Sequence, residues 1–245
     1  MPTDVRTDQP LPHQLPPREK ALVVDDLLIA EYGAPFIPFS YRDPLSELIG
    51  SLLSHRTRNA VTRGAYARLR ETFPTWEEVI EAPTQAVEAA IAAVTFPEVK
   101  APRIQAVLRT VRERNDGELS LEGLHEVGVA DARAWLEQIS GIGAKTSAAV
   151  LSFSHLRMPA LVVDTHHHRV ALRLGLVPPK SSLDKTARIL QDYLPADWDG
   201  QRVYDSHQGF MRHGQRVCHY RKPDCAACLV RRYCDHANPS EGTPE

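Results

Sequence analysis

The sequence predicts an all-α protein, and three observations carry that expectation. Apolar residues recur at helical spacing along most of the chain, strand-like alternation is scarce, and the apolar stretches are bounded by residues that start or stop helices. Asp43-Pro44 supplies an N-cap and a first-turn proline, and Leu45, Leu48, Ile49, Leu52 and Leu53 follow on one face. Pro102 is expected to open another helix, with Ile104, Val107, Leu108 and Val111 as its stripe. Asp131 is expected to cap a short helix through Trp135, Leu136 and Ile139. Asp164 is a natural N-cap for a helix that Gly175 ends, and Ser182 caps a run to Leu194 that Pro195 stops. Leu161-Val162-Val163 is apolar and β-branched but only three residues long, so no strand is expected there. These stripes form a core and carry no chemistry.

With 245 residues and 42% hydrophobic content, the chain can build one large domain or two compact ones. No apolar run reaches the roughly 18 residues of a membrane span, so no membrane partner is expected. Residues 1–20 are rich in proline and polar side chains and 237–245 read the same way, so both are expected to be disordered tails. The expected location is the cytoplasm, at the nucleoid in a bacterial cell, and the expected state is a monomer.

All four cysteines, Cys218, Cys225, Cys228 and Cys234, fall in one C-x6-C-x2-C-x5-C run. Thiols drawn from so short a segment converge, and four thiolates around a point serve a structural zinc or an iron–sulfur cluster. Disulfide pairing is the plainer alternative, but no cysteine lies outside the run and no secretory signal precedes it. Structural zinc usually shows two CxxC-type knuckles, and this run has one. That favours a [4Fe–4S] cluster.

The net charge of −2 is unevenly spread. Residues 51–70 carry Arg56, Arg58, Arg63, Arg68 and Arg70 with no acid, and residues 100–114 carry Lys100, Arg103, Arg109, Arg112 and Arg114 against Glu113 alone. Around the cysteines, Arg212, Arg216, Arg221, Lys222, Arg231 and Arg232 face Asp224. Each cluster alone is equally well a solvated helix face. Three together point to a phosphate backbone.

A further motif runs from Leu136 to Leu151, where a short helix meets Gly141-Ile142-Gly143 and a second helix of small residues starts at once. Glycines permit a tight turn and close approach of backbone amides to an anion, and the second helix presents its positive end there. That arrangement grips a DNA phosphate without reading sequence. Lys145 sits in the first turn of the second helix. The helix dipole and partial burial are expected to lower its pKa, which would make it a nucleophile able to form a Schiff base. Asp164 lies nineteen residues on, in Val162-Val163-Asp164-Thr165, and sequence spacing alone does not bring it to Lys145.

The glycine hairpin with its lysine, the Val163-to-Val170 segment VDTHHHRV and the 6-2-5 cysteine spacing together resemble the endonuclease III family of DNA glycosylases, from about Asp43 to Cys234. The resemblance implies a six-helix barrel at 37–157 and a discontinuous cluster domain at 21–36 and 158–236. It also implies roles: Lys145 falls on the catalytic lysine, Asp164 on the catalytic aspartate, Gly141 and Gly143 with Ile142 on the DNA-gripping hairpin, and the four cysteines on the cluster ligands. The implied substrate is double-stranded DNA with a damaged base or an abasic site. The implied activity is a bifunctional N-glycosylase removing oxidised pyrimidines and cutting abasic sites by β-elimination. The cluster would stiffen the Cys218–Cys225 loop and present Arg221 and Lys222 to phosphates.

Two departures from the family pattern bear on lesion recognition. Where the family usually has a glutamine that fills the gap left by the flipped base, this chain has His55-Arg56, with Arg56 the positional match. The loop Val94–Lys100 lacks the family's usual glycine, and Phe96 is the candidate apolar wedge. His166, His167 and His168 point in different directions on a helix and make no metal triplet; His166 is expected to support the site by hydrogen bonding. The alternative is a DNA-damage-binding or redox-sensing protein on the same scaffold, weakly active or without turnover.

Overall fold

The computed structural model describes residues 11–37 and 41–239. Among these every regular element is helical. The chain divides into a continuous unit, 37–162, and a unit built from both ends, 1–36 with 163–245.

The continuous unit holds α2 (Pro44–Ser54), α3 (Asn59–Thr72), α4 (Trp76–Glu81), α5 (Thr84–Ala90), α6 (Pro97–Arg114), α7 (Val129–Glu137) and α8 (Ala144–Phe153). Helix α2 is apolar on most of its circumference and buries Leu45, Leu48, Ile49, Leu52 and Leu53, which is why it sits centrally against α3, α6 and α8. Its start follows the sequence: Asp43 accepts from the Ser46 amide at 2.8 Å and Pro44 occupies the first turn. The unit extends beyond the expected limit at 157, because Met158, Ala160 and Val162 are buried in the same core.

Two expected helix starts are corrected. Helix α6 begins at Pro97, not Pro102, which lies inside it. A proline fits the first turn without loss, whereas an interior one removes a backbone bond and costs about 3 kcal/mol in an exposed helix. Burial of Lys100, Ala101 and Ile104 on either side of Pro102 carries α6 through it. Helix α7 begins at Val129 behind Gly128, and Asp131 sits in its first turn, where it complements the dipole without capping.

The second unit holds α1 (Pro17–Tyr32), α9 (Thr165–Leu174), α10 (Leu183–Tyr193) and α11 (Gly200–Arg216). Helix α11 packs between α1 and α9, and α10 lies on α9. Asp164 and Ser182 cap α9 and α10 as expected, and Gly175 ends α9 in the left-handed region. Residues 17–20, expected within the N-terminal tail, are helical. Helix α1 starts at Pro17, and buried Lys20 donates to Leu174 O at 2.8 Å and to Asp235 at 2.6 Å, which anchors residues taken for a free end. Asn238, expected in the C-terminal tail, donates to Arg231 O and Cys234 O. Residues 1–10 and 240–245, the remainder of both expected tails, lie outside the described residues. No described helix is long and apolar enough to cross a membrane.

Candidate functional site

Helices α7 and α8 form the hairpin expected from the sequence. Gly141 has φ +88°, a conformation that costs other residues strain, and a Cβ there would meet Arg103 Nε at 3.2 Å. Gly143 is the N-cap of α8 in extended backbone and carries no side chain to occupy the helix's free amides, which are left to an outside acceptor. Ile142 is buried and holds the turn to the core. The two helices are pinned together: Ser147 Oγ donates to Glu137 at 2.6 Å, and Arg133 donates to Glu137 at 3.3 Å and to Ala144 O at 3.4 Å.

Lys145 lies in the first turn of α8 with its side chain exposed. The partial burial expected for it is absent: at the first turn its side chain tilts toward the open N-terminal end of α8, whereas Thr146, Ala148 and Ala149 further along are buried. Beside it is His55, whose Nε2 is 3.3 Å from Thr146 Oγ1. Burial, and then the positive charges of Lys145, Lys100 and Arg103, lower the His55 pKa below 6.5, so the imidazole is neutral at neutral pH.

Arg56 and Phe96 both occur in the left-handed region, at φ 55° and 60°, and both are exposed, Phe96 by 49%. Phe96 is therefore no core residue. Thr95 links the two segments: its amide donates to Thr57 Oγ1 at 3.1 Å and its hydroxyl donates to Arg56 O at 2.9 Å.

The expected cationic surface is corrected at one residue of its second cluster: Lys100 is 6% exposed. Arg109 stays exposed while donating to Ile80 O, and Arg112 pairs with exposed Glu81 at 3.4 Å. Arg103, beside Gly141, stays exposed, as do Arg56, Arg58, Arg63 and Arg68 of the first cluster.

In the second unit, Asp164 Oδ1 accepts from the amides of His166 and His167 at 2.9 and 2.8 Å. Burial alone would raise its pKa. His207, the His167 amide, His167 and His166 outweigh that and hold the carboxyl below 3.8. The three consecutive histidines part as expected: His166 Nδ1 meets Arg169 at 3.2 Å, His167 stacks on Phe210 at 4.3 Å, and His168 Nδ1 meets Thr186 Oγ1 at 2.9 Å.

Cys218, Cys225, Cys228 and Cys234 are free thiols that line one pocket. Burial, with the other three cysteines adding to it, pushes the Cys228 thiol up to about 11, and burial likewise raises Cys234. Four thiolates in one place would repel one another, and a cationic centre bound among them would favour the deprotonated form. Helix α9 organises the loop. Arg173 donates to Cys218 Sγ at 3.2 Å, His219 O at 2.7 Å and Tyr220 O at 3.0 Å, while Arg169 donates to Cys218 O at 3.0 Å. His213 Nε2 is 3.5 Å from Cys228 Sγ. The loop's own Tyr220, Arg221 and Lys222 are exposed. Sequence reasoning missed Lys100, Thr95, Arg169, Arg173 and His213. Of these only Lys100 left a signal, since it falls four residues before Ile104 on the apolar stripe of α6.

A model of the HhH-GPD superfamily, base excision DNA repair proteins, matches residues 49–196. Endonuclease III of Thermotoga maritima is 31% identical over 193 residues, 79% of this chain and 83% of the relative. The chain belongs to the endonuclease III family. Membership makes it a DNA glycosylase/lyase of base excision repair. Endonuclease III of Escherichia coli K12 is 28% identical over 202 residues, 82% of this chain and 88% of the relative. A solved trapped endonuclease III–DNA covalent intermediate superimposes with a TM-score of 0.74 at 23% identity, covering 90% of this chain and 97% of that one. A thermostable thymine-DNA glycosylase gives 0.71 at 20% identity over 90% and 97% of the respective chains. At these identities the structural likeness speaks for the fold.

Proposed function

We propose that this endonuclease III family member is a bifunctional glycosylase that removes oxidised pyrimidines from double-stranded DNA and cuts the resulting abasic site. The observation that carries this reading is an exposed primary amine, Lys145, in the first turn of a helix whose free amides and preceding glycines are built to hold a phosphate.

The target nucleotide leaves the stack, because C1′ is unreachable inside a duplex. Lys145, having lost its proton with help from Asp164, attacks C1′ as the bond to the base breaks and the base departs with the electron pair. Asp164, held ionised by its surroundings, balances the positive charge that grows on the sugar. Ring opening gives a Schiff base between Nζ and C1′. Its electron demand makes a C2′ proton acidic, and loss of that proton breaks the C3′–O bond, cutting the strand 3′ to the lesion. Arg56 fills the vacated space or pairs with the orphan base, Phe96 enters the stack, and His166 holds Arg169 beside the cysteine loop. Incubating the protein with a duplex carrying one oxidised pyrimidine checks this: free base and strand cleavage should appear together.

The cysteine cavity is assigned to a [4Fe–4S] cluster. In support, all four thiols line one pocket, and their run holds a single CxxC knuckle where structural zinc usually shows two. When bound, the cluster supplies structural stiffness, and the chain's own Arg169 and Arg173 tie that loop to α9. Protein purified under air is expected to be yellow-brown, with iron and inorganic sulfide each near about four per chain. Cys225→Ser should lose both, and stoichiometric zinc without sulfide would overturn the assignment.

Exposed Arg221 and Lys222 are assigned to phosphate contacts. Reversing both to Glu should weaken binding to duplexes of every sequence by a similar factor, because such contacts carry no base identity. The slope of log affinity against log salt should become shallower by about 0.9 for each phosphate no longer neutralised. An unchanged slope would leave both side chains to solvent.

A further inference from the structure

Helix α2 ends beneath the segments that carry Arg56 and Phe96, and its last carbonyls have no partner within the helix. Lys100 reaches them from the start of α6. Its Nζ donates to Leu53 O at 2.7 Å, His55 O at 2.8 Å and Thr57 Oγ1 at 3.0 Å, so all three ammonium protons are placed. Thr57 Oγ1 also accepts the Thr95 amide, and Thr95 Oγ1 donates to Arg56 O. One buried cation therefore sits at the root of a network joining α2, α6 and the loop before α6. His55 extends it to Thr146 on α8, next to Lys145.

Burying an ammonium against neutral acceptors costs free energy, and burial lowers the Lys100 pKa. The neighbouring backbone carries a second cost. Arg56 and Phe96 are not glycines, yet both hold left-handed φ values. Such conformations persist only where the surroundings over-determine them. Arg56 and Phe96 are exposed, Lys100 at the root of the network is buried, and Thr95 ties the two segments together at the surface.

We propose that Lys100 is a positioning residue for lesion recognition: its buried ammonium locks the 53–57 turn to the 94–96 loop, holding Arg56 and Phe96 ready to enter a duplex before DNA arrives. This rests on the reading that Arg56 and Phe96 engage the duplex. It goes beyond that reading in naming what holds them.

Lys100→Met keeps the length and apolar stem but removes every donor. Two measurements on it are decisive. In the free protein, amide hydrogen exchange across 53–57 and 94–96 should quicken relative to wild type while α2 and α8 keep their protection. Unchanged exchange would overturn the lock, whatever the enzyme's activity. In turnover, base excision from a lesion duplex should fall by about 10²-fold, the loss expected from roughly an ångström of misplacement. Cleavage of a single-stranded abasic oligonucleotide, which has no stack to enter and no orphan base, should fall far less. A parallel fall on both substrates would make Lys100 a general stability residue and overturn the proposal. If Lys100→Met does not fold, Thr95→Val, which removes only the exposed bond to Arg56 O, should show the same two signatures at smaller size. Wild type that excises nothing but shows the exchange difference would refute the proposed glycosylase reading and leave the lock standing.

Discussion

Lys145→Gln is expected to abolish strand cleavage at abasic sites while binding to duplex DNA persists. Glutamine keeps the helix propensity and most of the length of the side chain, and removing a cation from the first turn of α8 relieves an unfavourable dipole contact. The hairpin therefore stays folded. Its grip on phosphate comes from the amides at the start of α8 and from the turn at Gly141, which the substitution leaves alone. No second amine in the same unit is poised to substitute. Lys100 is 6% exposed and has its three protons engaged. Cleavage of an abasic-site duplex and a mobility-shift titration, run side by side, check both halves. Residual cleavage at the wild-type rate would place the nucleophile elsewhere.

Asp164→Asn should slow release of a damaged base by about 10²–10³, the usual cost of losing one group matched to charge in the transition state. Stability should change little, because Asn caps helices about as well as Asp and can keep the bonds from the His166 and His167 amides. Cleavage of a preformed abasic site should suffer less, since no base has to leave. The pH sign follows from the lowered pKa. The carboxylate is charged at all pH values above 3.8, and the stability it contributes is lost only as pH falls through its still lower folded value. Wild-type base release should therefore show no Asp164 titration above pH 3.8. Single-turnover excision of an oxidised pyrimidine by the two proteins, with thermal unfolding as control, decides the matter.

Local signals were legible in the sequence. Asp43-Pro44, Ser182 and the Asp164-to-Gly175 helix each carry their own start or stop chemistry, and the structure places them accordingly. The glycine hairpin was legible for the same reason, since Gly141 needs its left-handed backbone whatever surrounds it. Pro102 misled because a proline looks like a helix start, and only tertiary burial on both sides keeps it inside α6. Lys100 misled in a different way. A cation in a basic run reads as surface charge, yet this one is buried and engaged with backbone carbonyls. The surroundings of the cysteines were illegible, because Arg169, Arg173 and His213 reach them from α9 and α11. The exposure of Lys145 was missed because α8 is buried from Thr146 to Ser152, and the sequence does not show that its first turn stands clear of that core.

Borohydride trapping of wild-type protein on abasic-site DNA, followed by peptide mapping of the adduct, reads out whether Lys145 forms the Schiff base. Reduction converts a Schiff base into a stable amine, so only an enzyme that passes through one becomes attached. A single protein–DNA adduct carried on Lys145 is expected. Duplex binding without any adduct, or an adduct on a different residue, would contradict this expectation.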